Sequence, residues 1–131
     1  MTTHPSLMLA VPDAPIAAEW YKKALGGRDL WTLGSVMGWE IESAPSVLHE
    51  PTNSGFDSLI TLGTTTGSVE VFIDDPDAFV SRAVAAGAEG SRDEMPDHPP
   101  PWGIHREGGF HDRFGHNWLV ADKSPLERFP R

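Results

Sequence analysis

Asp13 and Asp75 open the same pattern twice, at an offset of 62 residues (75 − 13). Before the first, Leu7, Leu9 and Val11 alternate with Met8 and Ala10, the period of a half-buried strand. After it, Pro15 fits a first helical turn, and Ile16, Ala17, Trp20, Tyr21, Ala24 and Leu25 form one apolar stripe that stops at Gly26-Gly27. The offset carries Leu7, Leu9 and Val11 onto Val69, Val71 and Ile73. Asp75 then caps a second helix that starts at Pro76 and stops at Gly87. The repeat predicts two strand–helix units of one register.

Further strands complete each module. Residues 29–33, 36–42 and 46–50 follow the first helix, separated by the turn signals Gly34-Ser35 and Ala44-Pro45. Segments 89–94, 105–112 and 117–122 follow the second, with the proline-rich stretch 96–102 as an irregular loop. The order is βαβββ twice: a first module over 1–50, a connection over 51–67 long enough to carry function, and a second module over 68–131. A chain of 131 residues with 39% hydrophobic content forms one domain, so both modules share it.

Composition narrows the partners. The formal net charge is −9, and the ten Lys and Arg are scattered, so no cationic stripe exists for nucleic acid or an anionic membrane surface. There is no cysteine, which excludes disulfides, thiolate metal sites and cysteine nucleophiles. No leader-like or membrane-spanning stretch occurs, and a cytoplasmic protein is expected. No nucleophile elbow, phosphate loop or dinucleotide fingerprint appears, and no catalytic residue is assigned.

The stretches 11–27, 72–88 and 102–120 together resemble the vicinal oxygen chelate superfamily of glyoxalases, extradiol dioxygenases, fosfomycin-modifying enzymes and bleomycin-resistance proteins. His111-Asp112-Arg113-Phe114-Gly115-His116-Asn117-Trp118 is similar to that family's Asp-Pro-Phe-Gly-His-x-Trp hairpin, with Arg113 where proline is usual. The resemblance implies an α+β fold in which two βαβββ modules form a cupped, mostly antiparallel eight-stranded sheet, in a homodimer with clefts lined by both chains. It also implies four inward positions for a divalent metal. These fall on Ser6, Ser68, Leu119 and the neighbourhood of His49, and only the histidine is a credible ligand. No metal and no cofactor are therefore expected.

Five tryptophans are many for so small an acidic domain. Trp20 and Trp118 read as core. Trp31 and Trp102 read as walls for a planar ligand, since an indole stacks such a molecule at little entropic cost. Trp39 reads either way, as a pocket wall or as packing beside Met37 and Ile41. The expected ligand-binding set is Trp31, Met37, Trp39, His49, Glu70, Trp102 and Phe110. Glu70 and Asp74 are acidic groups on the Ser68 face, suited to a cationic ligand. His111 reads as a surface strand residue and His116 as a turn residue, while alternation does not place His105 or Arg106. The leading expectation is a metal-free protein that sequesters a bulky planar aromatic or peptide antibiotic. The alternatives are a metal-dependent lyase, isomerase or dioxygenase using His49 with His105 or His111, and a non-catalytic structural or regulatory dimer.

Overall fold

The computed structural model describes residues 7–41, 44–51, 57–65, 67–90, 97–98 and 105–122. The chain divides into two compact units, Met1–Thr64 and Thr65–Arg131. The first holds β1 (Leu7–Ala10), α1 (Ala14–Leu25), β2 (Arg28–Leu33), β3 (Val36–Ile41), β4 (Ala44–His49) and a short α2 (Leu59–Leu62). The second holds β5 (Ser68–Phe72), α3 (Pro76–Ala85), β6 (Asp97–His98), β7 (His105–His111) and β8 (Asn117–Ala121). The sheets run β1-β4-β3-β2 and β5-β8-β7-β6. Each pairs its first strand in parallel with its last and is otherwise antiparallel, so the fold is α+β with one sheet design used twice.

Both helices start as the repeat predicts. Asp13 accepts the Ile16 amide at 3.0 Å and Asp75 accepts the Ala78 amide at 3.0 Å, which satisfies donors that a helix start leaves unpaired. Glu50, at the end of the first module's sheet, adds a second acceptor for α1 by taking the Ala14 amide at 3.1 Å. Gly26 (φ 73°) and Gly87 (φ 107°) end the helices in a backbone conformation that side chains disfavour.

The cores lie between each helix and one face of its sheet. In the first unit Tyr21 of α1 stacks on Trp39 of β3 at 4.7 Å, with Leu9, Met37 and Leu48 buried around them. Gly27 permits this contact, because a Cβ there would fall 2.8 Å from the Trp39 ring. In the second unit Phe79 of α3 meets Phe110, which stacks on Trp118 at 5.9 Å, above the buried Val80 and Val120. The hairpin between β7 and β8 is tied by a buried carboxylate. Asp112 Oδ1 accepts the amides of Phe114 (2.8 Å) and His116 (3.0 Å), and Oδ2 accepts Trp118 Nε1 (2.9 Å). Gly115 (φ 91°) closes the turn.

Four local expectations are corrected. Ala44-Pro45 is the start of β4 and not a turn: Pro45 pairs with Glu40 at the beginning of a strand, a place where proline is tolerated. The connection contains α2, nucleated where the Ser58 carbonyl accepts the Leu62 amide at 3.0 Å. Of the strand expected at 89–94, Glu89 makes only an isolated bridge to His111, and residues 91–96 lie outside the described ones. The stretch 96–102, expected as a loop, supplies the two-residue β6, paired to His105 and Arg106 at the start of β7.

Candidate functional site

Each sheet has a second face, turned away from its own helix, and strand alternation with register assigns residues to it. In the first unit Trp39 and Met37 pack toward α1, so Val36, Gly38 and Glu40 of β3 lie on the outer face. Their partners join them: Met8 and Ala10 from β1, Val47 and His49 from β4, Trp31 and Leu33 from β2. Trp31 reaches this face through an irregularity. Asp29 pairs with Trp39, but the register then slips by one residue and Trp31 pairs with Gly38. Without that bulge Trp31 would oppose Met37 and point at α1.

Gly38 and Trp31 fit one another. A Cβ at Gly38 would lie 2.4 Å from Trp31 Nε1 and 2.5 Å from Cε2, so the five-membered ring of the indole covers the glycine. Trp31 is nevertheless 47% exposed. One side of the indole is held on the sheet while the rest remains accessible, among Met8, Val47, Val36 and Leu33. His49 is half-buried on the same face, and its Nδ1 donates to the Glu50 carbonyl at 2.6 Å, which fixes the ring against the backbone.

The outer face of the second unit has a different chemistry. Register sets His111, Asn117 and Ser68 in one row across β7, β8 and β5, then Gly109, Leu119 and Glu70 in the next, then Glu107, Ala121 and Phe72. Asn117 Nδ2 donates to Ser68 Oγ at 2.6 Å. Glu70 is exposed beside Leu119, and Phe72 is 37% exposed.

The expected ligand-binding residues therefore divide. Trp31, His49 and Glu70 are on outer faces. Met37 (6% exposed) and Trp39 (1%) are on the α1 side, and Phe110 (3%) is stacked in the core of the second unit, so Met37 and Phe110 are packed where pocket lining is expected, and Trp39 takes the packing alternative of its two readings. Trp102 lies outside the described residues, as does the side chain of His105. His111 is exposed and His116 buried, with the His116 backbone paired to Asp112. The sequence reading missed Gly38, although a glycine between Met37 and Trp39 in an apolar strand is itself the signal of a close approach. It also missed Asn117, the partner of Ser68.

Among the described residues, the two charged groups with displaced titration sit on the helices. Hydrogen bonds from Lys22 to Glu19 and Asp29 raise the lysine above its ordinary range. The Arg106 guanidinium holds the Asp77 carboxyl, at the start of α3, below its usual value.

Solved structures of the same architecture are numerous. TioX from Micromonospora sp. ML1 is 23% identical, with a TM-score of 0.65 over 92% of this chain and 98% of TioX. FosX of Listeria monocytogenes, a fosfomycin resistance protein solved with Mn(II) and sulfate, is 16% identical with a TM-score of 0.70 over 98% and 95% of the two chains. A glyoxalase/bleomycin resistance protein from Albidiferax ferrireducens T118 is 16% identical with a TM-score of 0.67 over 92% and 98%. The fold is the vicinal oxygen chelate fold. No family model and no curated protein matches the sequence.

A vicinal oxygen chelate fold raises the question of a divalent metal, and the described residues do not fit one. Ser68 Oγ is occupied by Asn117, and a neutral hydroxyl is a poor ligand for the metals concerned. Leu119 offers no donor. The repeat settles the position near His49: Leu7 pairs with Ser46 as Val69 pairs with Trp118, so Leu119 corresponds to Val47, and His49 corresponds to Ala121. Val47 offers no donor either. Ser6 lies outside the described residues, and among those described no three His, Asp or Glu side chains gather as a ligand group. No described helix is long and apolar enough to cross a membrane.

Proposed function

We propose that the protein binds and sequesters a bulky planar aromatic molecule of the antibiotic kind, without a metal and without turnover. The observation that carries this reading is Trp31, re-aimed by a β-bulge, seated on a glycine and left half exposed on an apolar sheet face. A ring held in place loses little freedom when a second ring stacks on it, so pre-organisation turns the exposed area into affinity. The resistance proteins among the structural neighbours support an antibiotic as the ligand. The residues at the implied metal positions, Ser68, Leu119 and Val47, support binding over metal chemistry.

We place this site in a homodimer, with the two modules of each chain contributing to cupped eight-stranded sheets. All six residues of the edge strand β2 are exposed, including Leu30 at 42% and Leu33 at 75%, and an apolar edge of this kind is normally covered. The Mn(II) complex of FosX favours a second reading, a metal-dependent enzyme of the same fold.

Acridine serves as a probe that separates the two. Its titration should quench the intrinsic tryptophan fluorescence to the same extent before and after chelation of divalent ions. Quenching that appears only when Mn(II) is restored would transfer the assignment to the metal-dependent reading. Sedimentation at micromolar concentration should show a dimer, and a clean monomer would remove the shared cleft.

A further inference from the structure

The outer face of the second unit carries a polar device that the aromatic reading leaves unused. Ser68 and Asn117 stand side by side on the parallel strands β5 and β8, joined by the 2.6 Å bond from Asn117 Nδ2 to Ser68 Oγ. Among the described residues no other hydrogen bond engages either side chain. The bond fixes what the pair presents. Because Ser68 Oγ accepts from Asn117, its own proton points elsewhere and can be donated; because Asn117 donates through nitrogen, its Oδ1 remains an acceptor. A hydroxyl donor and an amide acceptor thus sit next to each other in a fixed order.

The surroundings select among possible occupants. Gly109 borders Asn117 diagonally and carries no side chain; one could not be accommodated there, since a Cβ would lie 2.3 Å from the Trp118 carbonyl oxygen. The backbone beside the pair is therefore bare. Leu119, next along β8, offers an apolar surface, its Cδ2 3.5 Å from that same Cβ position. Glu70 lies on the same face as Ser68, one pleat along β5, and is exposed. Its carboxylate opposes an anionic occupant.

We infer that Ser68 and Asn117 form a recognition site for the edge of a primary carboxamide or lactam, a group that presents N–H and C=O side by side. The ligand carbonyl accepts from Ser68 Oγ, and the ligand N–H donates to Asn117 Oδ1. A carboxylate of the same shape lacks the proton for Asn117 and meets Glu70. This rests on the reading of the protein as a small-molecule binder and concerns the second unit by itself.

The test uses benzamide as the probe, followed by NMR on the full chain. Saturable shifts are expected in the Asn117 side-chain amide and the Leu119 methyls, and benzoate and acetophenone should bind at least about tenfold more weakly, the worth of one good hydrogen bond. Ser68→Ala should weaken benzamide by about the same factor, while Ser68→Thr, which keeps the hydroxyl and suits a strand, should restore it. Equal response to benzamide and benzoate, an unchanged affinity in Ser68→Ala, or shifts confined to other residues would each overturn the inference. Acridine binding is read separately, so loss of that response removes the aromatic reading while the benzamide result still decides the amide site.

Discussion

The two units share a register and a helix cap but not an outer face. On the helix side Leu9, Met37, Trp39 and Leu48 of the first unit are matched in role by Val69, Val71, Phe110, Trp118 and Val120 of the second. On the other side the first unit shows an indole on a glycine with aliphatic neighbours, and the second shows Ser68, Asn117, His111 and Glu70. The buried faces are alike because a single helix must be covered in the same way in both copies. The outer faces carry no such demand and have diverged, and the two proposed sites lie on them.

The largest effects should come from the side that the units have in common. Trp118→Ala and Trp39→Ala should each cost roughly 3 to 5 kcal/mol in urea unfolding, as truncations of fully buried rings. Trp39 adds a finer distinction, since its Nε1 has no hydrogen-bond partner; Trp39→Phe should therefore cost much less than Trp39→Ala, and equal losses would mean that the indole N–H is satisfied after all. Asp112→Ala removes the acceptor for three donors at the hairpin, two backbone amides and the Trp118 indole, and should cost about 2 to 5 kcal/mol. A loss below about 1 kcal/mol would show that the turn holds without it.

A smaller effect distinguishes the outer face. Gly38→Ala puts a methyl where the indole lies, and a half-exposed ring can swing away, so stability should fall by only about 1 to 2 kcal/mol while the Trp31 emission shifts toward that of a solvated indole. An unshifted emission would mean that the indole does not depend on its glycine. The smallest effect is acid-dependent. The folded Asp77 carboxyl titrates below its ordinary 3.8 because Arg106 favours its charged form, so its contribution is present above that value and is lost as pH falls through the folded value. Asp77→Asn should flatten this part of the acid profile by removing a small contribution near neutral pH, and leave stability below the folded value unchanged.

The contrast between faces also marks what the sequence reveals. Alternation in 7–11 and 69–73, the two aspartate caps and the glycine stops give the repeat, both capped helices and the core Trp20, while Trp118 as core is what the hairpin's resemblance implies. Alternation divides a strand into two faces without saying which is covered. Trp31 and Trp39 fall on opposite faces because of the register slip between Asp29 and Trp31, which depends on pairing with β3. Met37 and Phe110 are covered by residues far along the chain or on another element, which alternation alone does not show. The Ser68–Asn117 pair spans 49 residues of sequence and follows from the parallel pairing of β5 and β8, which no local pattern specifies.

Calorimetric titration of acridine into the wild type and into Trp31→Ala bears most directly on the claim that the outer face of the first unit is a ligand platform. Removing one stacking face is expected to weaken binding roughly five- to hundredfold, by analogy with bases stacked on aromatic side chains, with little change in the unfolding midpoint. Unchanged affinity in a folded Trp31→Ala protein would contradict the account and leave Trp31 as part of an interface or of the sheet alone.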